Sequence, residues 1–92
     1  MPLTFQRTRG HNSRTGTYLF DMLDGGSVVQ CGVSDAAMDD AERRSDIRAH
    51  ERDDQFERLR DRVLDCASRK YYADQFEQSE PRILVKTADL NP

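Results

Sequence analysis

The chain contains no tryptophan, and its 92 residues include only two cysteines and three prolines. No apolar run approaches the roughly 18 residues that a membrane-spanning helix needs, so a soluble chain without a membrane partner is expected. The N-terminal stretch MPLTFQRTRG lacks an apolar segment of the kind that directs secretion. With two cysteines that form no disulfide framework, this makes a reducing cytoplasm the expected setting. Charge of one sign is not in excess either. Seventeen acidic residues face 14 basic ones, for a net charge of -3, unlike the strongly basic footprint of a dedicated nucleic-acid binder.

Short-spacing motifs are also missing. His11, Cys31, His50 and Cys66 show none of the CxxC or HxxxH spacings that bring metal ligands together, so no metal is expected. Asp24-Gly25-Gly26 lacks the lysine and the following helix of a phosphate-cradling loop, and no cofactor is expected. Asp39, Asp40 and Glu42 supply carboxylates, but no apolar pocket or opposing acid is visible that would set their proton affinities apart. A cysteine–histidine nucleophile would need a thiolate on a core-facing cysteine, which is costly. No catalytic residue is assigned.

What the chain does have is 34% charged and 36% hydrophobic residues, enough for one small core. Residues 6 to 16, QRTRGHNSRTG, carry no hydrophobic period of 2 or 3.6 and two glycines, so residues 1–16 are expected to be a mobile basic arm, with Leu3 and Phe5 available as an added strand. From Thr17 apolar residues alternate: Tyr18, Phe20 and Met22, then Val29, Cys31 and Val33 beyond Gly25-Gly26. That pattern predicts a hairpin: with Gly25-Gly26 as the turn, Met22 faces Val29, Phe20 faces Cys31 and Tyr18 faces Val33, and with Asp24-Gly25 as the turn the partners change but the same faces stay together. Ser34 is placed to cap a helix, with Asp35 and Asp39 near its positive end. After a charge-rich break, Phe56, Leu59, Val63, Cys66 and Ala67 form one helical stripe that should stop near Tyr71 or Tyr72. Arg82 to Thr87 read as a strand. Both cysteines therefore fall among core positions, where a thiol behaves as a small hydrophobe.

The segments FERLRDRVLDCASRKYYADQFE and RILVKTADL, with the upstream VVQCGVSDAAMDD, resemble the domain of unknown function 1488 family of small bacterial proteins. The resemblance runs from Thr17 to Leu90. Its most specific parts are Phe56, Arg60, Ala67, Lys70 and Tyr71 and the stretch from Ile83 to Leu90. The arm matches poorly and lacks the tryptophan that many members carry near the start. The resemblance implies a small α+β fold in a bacterial cytoplasm, with no activity, cofactor or catalytic residue attached.

The resulting expectation is a single α+β domain over 17–90, a small antiparallel sheet of the hairpin and a C-terminal strand with two helices on one face. Alternation sends Leu19, Leu23, Val28 and Leu84 to the other face, an apolar patch that monomers rarely leave bare. The leading functional reading is a non-enzymatic module that binds a protein partner or itself through that patch. The alternative is weak, sequence-independent nucleic-acid binding through Arg7, Arg9 and Arg14.

Overall fold

The computed structural model describes residues 3–91. Its sheet has the order β1 (Thr4–Asn12), β2 (Thr17–Asp24), β3 (Ser27–Ser34) and β4 (Ile83–Val85). Between β3 and β4 come α1 (Asp35–Glu42), a single 3₁₀ turn (Ala49–Glu51) and α2 (Arg52–Tyr72), and α3 (Thr87–Leu90) follows β4. The class is α+β.

The hairpin takes the first of the two expected registers, with Gly25-Gly26 as its turn. Asp24 pairs with Ser27 across Gly25-Gly26, and Met22–Val29, Phe20–Cys31 and Tyr18–Val33 are cross-strand neighbours. Gly25 adopts φ 62°, a left-handed conformation that a two-residue turn demands and a side chain resists. Two features of the sheet differ from expectation. The stretch expected as a basic arm forms most of β1, antiparallel to β2, with register shifts between Phe5 and Arg7 and between Thr8 and Gly10. Each bulge inserts a residue and reverses which face the next side chain takes, so a real strand carries no period of 2. The sheet is also mixed rather than antiparallel, because β4 runs parallel to β3. The intervening helices form a crossover long enough to return the chain to its starting end, which parallel pairing requires.

α1 starts as its sequence predicts, with the Ser34 side chain accepting from the Ala37 N–H at 3.1 Å, and ends at Arg43 in the left-handed region. α2 lies along the inner face of the sheet. Phe56, fully buried, has its ring centroid 4.7 Å from Tyr18, 5.1 Å from Phe20 and 6.5 Å from Phe5. The stripe Phe56, Leu59, Val63, Cys66 and Ala67 is buried throughout.

The same stripe continues one turn toward the N-terminus with polar residues, and Arg52 and Gln55 are buried there. Arg52 Nη1 donates to Asp39 Oδ1 at 2.7 Å and to Gln55 Oε1 at 2.5 Å, and Gln55 Nε2 donates to Asp39 at 3.1 Å. Arg52 Nε is 3.7 Å from Asp35, whose other oxygen lies 2.8 Å from His11 Nε2. This network ties β1, α1 and α2 together. Asp35 and Asp39, read from the sequence as helix-start acids, are the carboxylates that hold a buried arginine.

Candidate functional site

All of the helical cover lies on one side of the sheet, so the other side carries the residues available for contact. Alternation places Leu19, Leu23, Val28 and Leu84 there, as expected, but they do not form one continuous patch. Leu19, Gly32 and Leu84 make one row across three strands, and Leu23 and Val28 make a second. Leu19, Leu23 and Leu84 are half-buried, whereas Val28 is 54% exposed.

Between the two rows runs a polar one that sequence reasoning missed. Asp21, paired across the strands with Gln30, is only 2% exposed although no helix covers it. Arg7 Nε donates to its carboxylate at 3.0 Å, and Arg9 Nη1 lies 3.8 Å away. The bulges in β1 turn both arginines to this face. Two of the three expected phosphate-contacting residues are thus gathered on one acid, while Arg14 sits exposed in the turn between β1 and β2. The available signal was Asp21 itself, a charged residue at a position where the strand alternation is otherwise apolar on both faces.

The Leu19–Leu84 row forms the floor of a cavity of about 420 Å³, with Arg9 and Glu80 among its rim residues. Gly32 is required in that floor. A Cβ there would sit 2.8 Å from Thr17 Cγ2 and 3.0 Å from Pro81 Cγ, so any side chain would displace the cover the loop before β4 supplies. A separate groove of about 570 Å³ runs beside the first half of β3, walled by Tyr71, Phe76 and the loop to Arg82.

Cys66 lies apart from both surfaces, and Cys31 borders the Leu19–Leu84 cavity while its residue as a whole is buried. Cys31 is buried under the sheet, and burial, reinforced by the charge of Asp21, pushes its thiol up to about 12. Cys66 is buried on α2, its Sγ 3.3 Å from the Asp89 carbonyl oxygen and 3.4 Å from Arg69 Nη2. Both thiols are expected to react with an alkylating reagent far more slowly in the native protein than in denaturant. Labelling at the denatured rate would remove either residue from the core. Among the described residues, no group of three or more histidine, cysteine or acidic side chains is placed to hold a metal ion.

Comparison with known proteins bears on this geometry at the level of family and fold. Residues 3–84 match the family described as "Protein of unknown function (DUF1488)". The crystal structure of a protein of unknown function from that family, from Shewanella loihica PV-4, superposes with a TM-score of 0.79 at 14% identity over 90% of each chain. No curated protein matches the sequence.

Proposed function

We propose, for a chain that belongs to the DUF1488 family of proteins of unknown function, a non-enzymatic role exercised by contact, with the open sheet face as the surface and a second copy of the chain as its occupant. The observation that carries this reading is the composition of that face. Leu19 and Leu84 form an apolar floor that no helix covers, and the cavity above them is rimmed by opposite charges, Arg9 on β1 and Glu80 beside β4.

Elementary symmetry makes such a face self-complementary. A two-fold axis lying between two stacked sheets and parallel to their strands reverses the strand order, so β1 of one copy lies over β4 of the other. Arg9 of each copy then approaches Glu80 of its neighbour, while the leucine rows meet at the centre. Apolar burial favours the contact by about 25 cal/mol per Å², and the charge pairs fix its register.

Sedimentation of the whole chain at micromolar concentrations should give a dimer. Leu84→Glu should give a folded monomer whose melting temperature no longer rises with protein concentration, because Leu84 lies on the face away from the core. Arg9→Glu and Glu80→Arg should each weaken association, and the two together should restore it. A wild-type chain that stays monomeric at high micromolar concentration would refute the reading.

Nucleic-acid binding is the less supported alternative. Arg7 is hydrogen-bonded to Asp21, and the chain is acidic overall. A steep loss of any RNA or DNA affinity with salt would favour it. No helix among the described residues is long and apolar enough to cross a membrane.

A further inference from the structure

β4 covers only part of its neighbour. It pairs with Cys31, Gly32 and Val33, leaving Ser27 to Gln30 without a strand on that side. In a two-residue hairpin the residues that close the turn bond across it, so Ser27, Val29, Cys31 and Val33 direct their backbone groups to β2. Val28, Gln30 and Gly32 direct theirs the other way. Gly32 meets β4, whereas the N–H and C=O of Val28 and the N–H of Gln30 face the 570 Å³ groove. The lane that an earlier start of β4 would fill stays open because the chain before it turns back on itself, with the Glu77 N–H bonded to the Arg82 carbonyl at 2.7 Å.

The groove has two further properties. Two of the large apolar side chains that stand exposed among the described residues, Val28 at 54% and Phe76 at 37%, line it. Tyr71 backs Phe76 with its ring 5.6 Å away and carries Tyr72 on its other side at 5.2 Å. The loop side also carries charge, Glu77 and Glu80 against Arg82, whose guanidinium stacks 4.5 Å over Phe76. Glu77 lies 3.6 Å from Lys86 Nζ, so Glu80 is the acid that answers a cation in the groove.

We infer that this groove is a strand-addition site, which binds an extended segment of another protein carrying a basic residue two positions from an apolar one, so that both side chains stand on the same face. The segment pairs its backbone with Val28 and Gln30, lays an apolar side chain on Val28 and Phe76, and turns its cation to Glu80. Unpaired backbone groups supply the affinity, Val28, Phe76 and Glu80 supply the choice of sequence, and a segment of about four residues, roughly 13 Å long, spans the open stretch. The site borders the proposed dimer face, sharing Val28 and Glu80 with it, but its backbone edge at Val28 and Gln30 is separate from the Leu19–Leu84 floor.

The test titrates the isotopically labelled full-length chain with the acetylated six-residue peptide Val-Thr-Lys-Thr-Val-Thr, whose valines and lysine share one face. Saturable shifts of the Val28 and Gln30 amides are expected. N-methylation of the peptide's alternate amides on one edge should abolish them, and exchanging lysine for glutamate should weaken binding about tenfold. Val28→Pro, which removes a donor on the open side while leaving the β2 ladder intact, should weaken it about three- to tenfold. Shifts centred on Leu19 and Leu84, indifference to N-methylation, or equal binding of the glutamate peptide would overturn the assignment. So would Val28 and Gln30 shifts that follow protein concentration with no peptide present, which would assign the edge to a second copy instead.

Discussion

Phe56→Ala should lower the free energy of unfolding by about 3–5 kcal/mol, the range for emptying a fully enclosed aromatic site. Phe56 is the one side chain of α2 that meets rings from both β1 and β2, at 6.5 Å from Phe5, 4.7 Å from Tyr18 and 5.1 Å from Phe20. Truncation removes those contacts together. The remaining rings cannot close the gap, because each is fixed to a hydrogen-bonded strand. A domain of this size holds a total stability of about 5–15 kcal/mol, so the variant should be largely unfolded at modest urea concentrations. Phe56→Leu should retain more of the stability, since it keeps most of the volume. A urea midpoint unchanged in Phe56→Ala would place the ring outside the core.

The second large effect is expected at Arg52. Removing one partner of a buried ion pair costs about 3–5 kcal/mol, because the remaining charge is left without compensation. In Arg52→Ala the Asp39 carboxylate keeps its partial burial and loses the bond of 2.7 Å, and the Gln55 amide oxygen loses its donor at 2.5 Å. The loss should depend on pH with a definite sign. Burial raises the proton affinity of Asp39, and the hydrogen bonds from Arg52 and Gln55 with the charge of Arg52 outweigh it, so its carboxyl sits below the usual range. A carboxylate with a depressed pKa contributes stability above its unfolded value of about 3.9, and that contribution disappears as the pH falls through the folded value. The difference between wild type and Arg52→Ala in urea midpoint should therefore be greatest near neutrality and shrink below about pH 4, where a protonated Asp39 no longer leaves a charge uncompensated. A gap that stayed constant from pH 7 to pH 3 would show that the arginine stabilises through its packing alone.

Periodicity accounts for what the sequence alone determined. Two alternating runs around Asp24-Gly25-Gly26 determined the hairpin and put Phe20 and Cys31 on its inner face with either turn, and the structure selected Gly25-Gly26. Ser34 fixed the start of α1, since a hydroxyl at that position satisfies an N–H that the helix cannot. The 3.6-residue stripe from Phe56 to Ala67 gave α2, its buried face and the burial of Cys66. These signals are local, and each is written within about a dozen consecutive residues. The continuation of that stripe to Arg52 and Gln55 was legible by spacing but disguised by polarity.

Only the tertiary structure decided the rest, because the deciding partners are distant in the chain. β1 was hidden by its two bulges and became a strand through pairing with β2. The direction of β4 depended on where α2 delivered the chain, a matter of path rather than composition. Arg52 is buried because Asp39 lies 13 residues earlier on another helix to receive it. Asp21 tolerates its burial because the bulges of β1 bring Arg7 and Arg9 to the same face. The open edge at Val28 exists because β4 is three residues long, and the aromatic wall beside it is built by residues more than 40 positions further on. Alternation in sequence can assign a side chain to a face, but what lies opposite that face is set by the packing of segments that sequence order keeps apart.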